Sequence, residues 1–248
     1  MFIKTYKASR LLAVASVAVF AAACSSDGNG NGGGGVIPPP PVVMSTFEVT
    51  VTNLTNGQPL SPIAVIAHQN TFPVFAIGSP ASAGLETLAE GGDNSALLAA
   101  ANGVAGIGDT ASGAAPIGPA GSETVSLTMD ETSLGLMTIS VSTMLVNTND
   151  AITGVNAVPL RGMLAGDSVT LHAVAYDAGT EANSEAAADI PGPAGGGEGF
   201  NAARDDIADR VAMHRGVVGQ DDGFATSALN GQHRFDNPVA LVRIERIN

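Results

Sequence analysis

Phe47-Glu-Val-Thr-Val-Thr-Asn53 alternates apolar and polar side chains residue by residue. A strand sends successive side chains to opposite faces, so Phe47, Val49 and Val51 share one face while Glu48, Thr50 and Thr52 share the other. The stretch reads as a half-buried strand, followed by the turn pair Asn56-Gly57. The same period of two recurs in Val125-Ser-Leu-Thr-Met129, in Met137-Thr-Ile-Ser-Val141 continuing to Val146, and in Val169-Thr-Leu-His-Ala173 extending to Tyr176. Residues 63–67 form a short apolar run behind Pro62, which places them at a strand start or on an edge. Residues 239–247, after Pro238, read as a closing strand. Recurrent strands separated by turn residues predict a mainly β chain folded as an antiparallel β-sandwich.

Helical signals are fewer, and one to three short helices are expected. Residues 93–103 have a capping group in front, helix formers inside and Asn102-Gly103 behind. Residues 84–90 read as another helical turn. Residues 201–215 place Ile207, Val211 and Arg215 four apart, the spacing of an amphipathic helix. Asp205, Asp206 and Asp209, beside Arg204 and Arg210, would then form its solvated charged face. Residues 103–121 and 190–199 are long loops rich in Gly, Ala and Pro.

Ahead of this body the sequence changes character. Lys4, Lys7 and Arg10 precede an apolar run over 11–23 that is interrupted only by Ser16 and followed by Cys24. A basic start and an apolar stretch too short for a standard membrane span describe an export signal over 1–23. The end, Ala21-Ala22-Ala23-Cys24-Ser25-Ser26, resembles the bacterial lipobox, in which lipid is attached to the cysteine after cleavage before it. Cys24 is the chain's single cysteine, so it also rules out an internal disulfide. Residues 24–46, with a Gly/Asn run and four consecutive prolines from Pro38, read as a flexible tether with a short stiff piece. The expectation is an exported protein lipid-anchored to a bacterial membrane. Ser25 after the cysteine, where Asp would signal retention, favours the outer membrane.

The whole chain of 248 residues carries a formal charge of −13, and loss of the three cations in the signal takes it to −16. No lysine would remain, and every remaining arginine lies at or after Arg161. An acidic chain of this kind does not suit nucleic acid, whose phosphates require a basic face. Nor does the sequence hold a catalytic constellation. Pro80-Ala-Ser82-Ala-Gly84 lacks the first glycine of a nucleophile elbow, and the Gly-rich stretches lack the Lys-Ser/Thr of a phosphate loop. His68, His172, His214 and His233 are dispersed without zinc-ligand spacing. Gln220-Asp221-Asp222-Gly223 reads as a turn, not as a helix-loop-helix calcium loop.

The richest chemistry sits in Tyr176-Asp177-Ala178-Gly179-Thr180-Glu181, where a strand ends in a turn bearing two carboxylates four residues apart. Asp150 ends the loop Val146-Asn-Thr-Asn-Asp150. A return strand within 156–164 would make an up-down-up meander and bring Asp150 to the same end of the sheet as 177–181. Three hard carboxylate donors on strand-end loops suit calcium better than zinc. Solvated loop acids are the alternative reading of the same residues.

These segments resemble the spondin N-terminal domain family, known from extracellular matrix proteins and from bacterial envelope proteins. Tyr176-Asp-Ala-Gly-Thr-Glu181 parallels the family's Tyr-Asp-Ala-Gly-Thr-Asp, and the Asp150 loop followed by Gly154 fits as well. Residues 47–53, Leu60-Ser-Pro62 and Asn237-Pro-Val239 match more loosely, and the likeness spans 47–248. The resemblance implies a β-sandwich with a structural calcium ion held by Asp150, Asp177 and Glu181. Two departures stand out. Glu181 replaces the usual Asp, and the family's Ser-Pro-Asp-Trp loop here reads Asn-Thr-Asn-Asp150-Ala, without the tryptophan. The implied function is a binding or adhesion module, not an enzyme, with a protein or glycan partner. A metal-free structural envelope protein and, behind it, a secreted hydrolase are the alternatives.

Overall fold

The computed structural model describes residues 41–70, 72–205 and 208–248. The export signal, Cys24 and most of the tether fall outside the described residues, as do Asp206 and Ile207. The elements in chain order are β1 (Met44–Asn53), β2 (Ala64–His68), α1 (Ala83–Gly91), α2 (Ser95–Asn102), β3 (Ile107–Ser112) and β4 (Ser122–Asp130). They are followed by β5 (Thr138–Met144), β6 (Ala151–Pro159), β7 (Ser168–Ala173), β8 (Ala175–Asp177), β9 (Ala212–Met213) and β10 (Ala240–Arg246). Two antiparallel sheets result, with strand orders β4-β1-β10-β7 and β3-β2-β5-β6-β8-β9.

The period-two faces meet between the sheets. Phe47, Val49 and Val51 of β1 and Val242 and Ile244 of β10 pack against Val65 of β2 and Ile139 and Val141 of β5. These side chains are essentially excluded from solvent, which is the main favourable contribution to folding. The outer face of the six-stranded sheet carries a second apolar layer. There Ala64, Ile66 and Ile152 lie under Leu85, Leu88, Leu97 and Ala101 of the two helices. β2 is therefore buried on both faces, and this is why residues 64–67 are continuously apolar instead of alternating.

Local chemistry fixes the helix ends. Ser82 Oγ accepts the Leu85 N–H at 3.2 Å, and left-handed Gly92 returns its N–H to the Leu88 carbonyl. Asp93 Oδ1 accepts the Ser95 N–H at 2.9 Å ahead of α2.

Four expectations need correction. The alternating run 169–176 is not one strand: β7 joins the four-stranded sheet and β8 the six-stranded one, with the break at Val174. Alternation specifies faces but not which sheet a strand joins. The return strand lies at Ala151–Pro159, earlier than 156–164, and its first residue follows Asp150 directly. The loop expected over 103–121 contains β3, an edge strand whose Gly108 and Asp109 blur the pattern. The helix expected over 201–215 is absent among the described residues. Its backbone groups bond elsewhere: Asp205 N–H to the Thr180 carbonyl, Val211 N–H to the Ser79 carbonyl, and Ala212–Met213 to β8. Those partners replace the i→i−4 ladder, and buried Val211 anchors the segment.

Candidate metal centre

Antiparallel pairing of β6 with β8 sets Ala151 opposite Asp177, so Asp150 meets the chain just past β8. The Ala178 N–H bonds to the Asp150 carbonyl at 3.2 Å. Beyond it, the Asp150 side chain organises the next turn. Its Oδ2 accepts the N–H groups of Thr180 at 2.7 Å and Glu181 at 3.1 Å, and the Thr180 hydroxyl at 3.3 Å. Gly179 allows that turn. It sits at φ +72°, and a Cβ there would collide with the Arg210 backbone.

Residues 147–149, just ahead of Asp150, are buried and hydrogen-bonded. Asn147 Nδ2 donates to the Gly57 carbonyl at 2.9 Å, Thr148 Oγ1 donates to the Leu145 carbonyl at 2.6 Å, and Asn149 Oδ1 accepts the Glu185 N–H at 3.3 Å. Asp177 is half-buried at the end of β8. Its Oδ1 accepts the Gly179 N–H at 2.9 Å and its Oδ2 accepts Asn183 Nδ2 at 2.7 Å. The Ala182 N–H donates to Asp205 Oδ1 at 2.6 Å, which holds the far side of the loop.

The electrostatics are unusual. Asp150 is wholly buried and Glu181 is 9% exposed, yet Asp150 Oδ1 and Glu181 Oε2 have no hydrogen-bond partner among the described residues. Burial, reinforced by the charge of Asp177, pushes the Asp150 carboxyl up to about 7 despite the N–H groups it accepts. Burial, then the charges of Glu90 and Asp150, pushes Glu181 up to about 8. The nearby guanidinium of Arg204 is engaged by Glu86 at 2.6 Å and Asp209 at 2.8 Å. The site is thus rich in carboxyl groups whose ionisation has little positive charge to balance it.

The sequence-predicted residues Asp150, Asp177 and Glu181 are brought to one end of the six-stranded sheet. The donors suit a hard cation, being carboxylate oxygens of which two lack partners among the described residues. Among the described residues, however, no three His, Cys, Asp or Glu side chains form a group ready to hold a metal ion. The arrangement is one of neighbouring carboxylates and not an assembled shell. Two neighbouring residues were only weakly marked in the sequence. Glu90 lies on the buried face of α1, and Thr180 stands between the two carboxylates of its own hexapeptide. The spacing of Glu86 and Glu90 on one face of a short helix is the only sequence feature that singles out the former.

The profile of the Spondin_N family matches residues 53–189. The chain belongs to the spondin N-terminal domain family. The matched stretch contains Asp150, Asp177 and Glu181 together with both helices, whereas nearly all of β1 and the whole of β10 lie outside it. No curated protein matches the chain. The spondin N-terminal family is not in general an enzyme family, and membership suggests a binding- or adhesion-type extracellular module.

Proposed function

We propose that this spondin-family chain is a cell-envelope lipoprotein whose β-sandwich binds a structural calcium ion and presents its loops to a protein or glycan partner. The observation that carries the metal reading is that two buried carboxylate oxygens, Asp150 Oδ1 and Glu181 Oε2, have no hydrogen-bond partner among the described residues. A buried carboxylate must be protonated, paired or bound to a cation. Calcium would satisfy both oxygens and relieve the repulsion among the carboxylates. The role of Asp150, Asp177 and Glu181 would be to hold the ion, and its binding would couple the stability of the loops to free calcium. Anchorage would come from lipid on Cys24. Among the described residues no helix is long and apolar enough to cross a membrane.

Calorimetric titration with calcium, paired with melting curves in calcium and in chelator, tests the metal. Heat of binding and a higher Tm in calcium are expected, both lost in Asp177→Asn. No heat and no shift in the wild type would overturn the reading. Palmitate labelling that disappears in Cys24→Ser tests the anchor. A metal-free structural envelope protein is the second reading, favoured by the absence of an assembled ligand group among the described residues. It predicts identical melting with and without calcium.

A further inference from the structure

Pairing of β8 with β6 stops at Thr153, and residues 154–159 of β6 have no strand beside them on that side among the described residues. The register that sets Ala151 opposite Asp177, if continued, would lay residues 169–173 beside residues 155–159. Those residues cross instead to β10 as β7, and the Thr153 hydroxyl donates to the Val174 carbonyl at 3.0 Å where they depart. Two strand edges therefore diverge at Val174. Between them lies an open groove of about 490 Å³, lined by Val155 and Val158 of β6, Leu171 of β7, Val174, Phe75 and Tyr176. The rings of Phe75 and Tyr176 are 4.9 Å apart, and Ile77, on the same groove, is 65% exposed.

This edge offers main-chain groups as well as apolar side chains. The carbonyls of Asp167 and Ala173 accept the N–H groups of Arg246 and Val239, on the β10 side. Hydrogen bonding alternates along an antiparallel strand, so the N–H and C=O groups of Ser168, Thr170 and His172 are directed off the open edge. Proteins commonly blunt such edges by charge, proline, shortness or cover. Other edges of this fold show that protection: β9 has two residues, and the Thr128 N–H of β4 donates to Asp109 Oδ2 of β3 at 2.7 Å. β7 has six residues, and none is Asp, Glu, Lys, Arg or Pro.

We propose that the groove takes an extended segment of a partner protein, which adds to the β7 edge as a further strand. The main-chain groups select an extended backbone, and the apolar lining selects alternate apolar side chains. A second copy of this chain fits less well, because its own β7 forms the wall of a groove and does not project. The chain's charge of −13 favours basic residues flanking the added segment. The proposal gives the protein partner of the reading above a surface, and it does not rest on calcium.

The probe is the capped synthetic peptide Lys-Thr-Val-Thr-Val-Thr-Lys, added to the full chain in chelator so that the outcome is independent of the calcium reading. Amide hydrogen exchange followed by NMR reads the contact. Exchange at the Thr170 and His172 N–H groups is expected to slow by about threefold or more, while that at the Leu171 N–H stays unchanged. No slowing at Thr170 and His172 with about 1 mM peptide would overturn the proposal. The same peptide methylated at its backbone nitrogens keeps its side chains but loses its donors, and is expected not to bind. Equal binding by the methylated peptide would refute strand addition. Thr170→Pro removes one donor from the open edge and none from the β10 ladder, so a loss of affinity of about tenfold is expected with the fold retained by circular dichroism. Unchanged affinity in Thr170→Pro would also refute the proposal. Should that variant fail to fold, the methylated peptide carries the test on the wild type alone. Protection of the same amides that grows with protein concentration in the absence of peptide would assign the edge to a second copy and overturn the proposal.

Discussion

Asp150 concentrates the properties of this protein in one side chain. It is wholly buried, one of its oxygens closes the 178–181 turn, and the other has no partner among the described residues. The raised values at Asp150 and Glu181 give a definite pH dependence. The folded state holds these protons up to about 7 and about 8, whereas the unfolded chain releases them near its ordinary values of 3.8 and 4.5. Between those limits the folded form binds more protons than the unfolded, so stability falls as pH rises. In chelator, urea melts from pH 5 to pH 8 are expected to lose on the order of a few kcal/mol. Saturating calcium should flatten that slope, because the ion replaces the protons. A second residue-scale test is Gly179→Ala. Left-handed backbone and the clash with Arg210 predict a loss of about 1–3 kcal/mol, measured by urea denaturation. The hexapeptide around these residues was legible in the sequence because three chemically distinctive residues fall within one short turn. The burial of Glu90 was not legible, because it exists only after α1 docks and Asn201 bonds to it.

At the scale of elements, the segment after Glu198 shows how a helical pattern can be overruled. Arg204 reaches across to Glu86 on α1 and to the Ala81 carbonyl ahead of it, while Asp205 bonds the loop at Ala182. Glu86 is nearly buried, so removing its guanidinium would leave a carboxylate without its cation. Arg204→Met is expected to cost about 1–3 kcal/mol in chemical denaturation, reduced from the fully buried case because Arg204 is a quarter exposed. The double variant Arg204→Met with Glu86→Gln should recover much of that loss. The helix at 95–102 was legible from Asp93 ahead of it and Asn102-Gly103 behind it, since caps act within a few residues. β3 was not, because its stability comes from the β2 edge it joins and not from its own alternation.

At the scale of the molecule, the two ends of the body form the centre of one sheet. β1 and β10 pair from Phe47 with Arg246 through to Asn53 with Ala240, and β7 attaches to the far side of β10. Closing that pair brings together residues almost the full length of the body apart, so the four-stranded sheet cannot be complete until the C-terminus has been made. A chain cut before Ala240 should therefore lose cooperative unfolding, as seen by circular dichroism, and elute as aggregate on size exclusion. The same is expected of residues 53–189 expressed alone. That stretch contains the carboxylates and helices but only one residue of β1 and none of β10, and so lacks the strands that cover Val65, Ile139 and Val141.

The sequence by itself determined what depends on neighbours along the chain: strand faces from alternation at 47–53 and 125–129, helix ends from caps, turns from glycine, and the kinds of donors near 150 and 177–181. Only the tertiary structure decided what depends on distant partners. It assigned 168–173 and 175–177 to different sheets, laid 201–205 and 208–213 against α1 and β8 in place of the expected helix, and buried Glu90 against the Asn201 backbone. The physical reason is common to all three. Side-chain periodicity encodes which face is buried, while the partner that buries it is chosen by packing and by hydrogen bonds made across the fold.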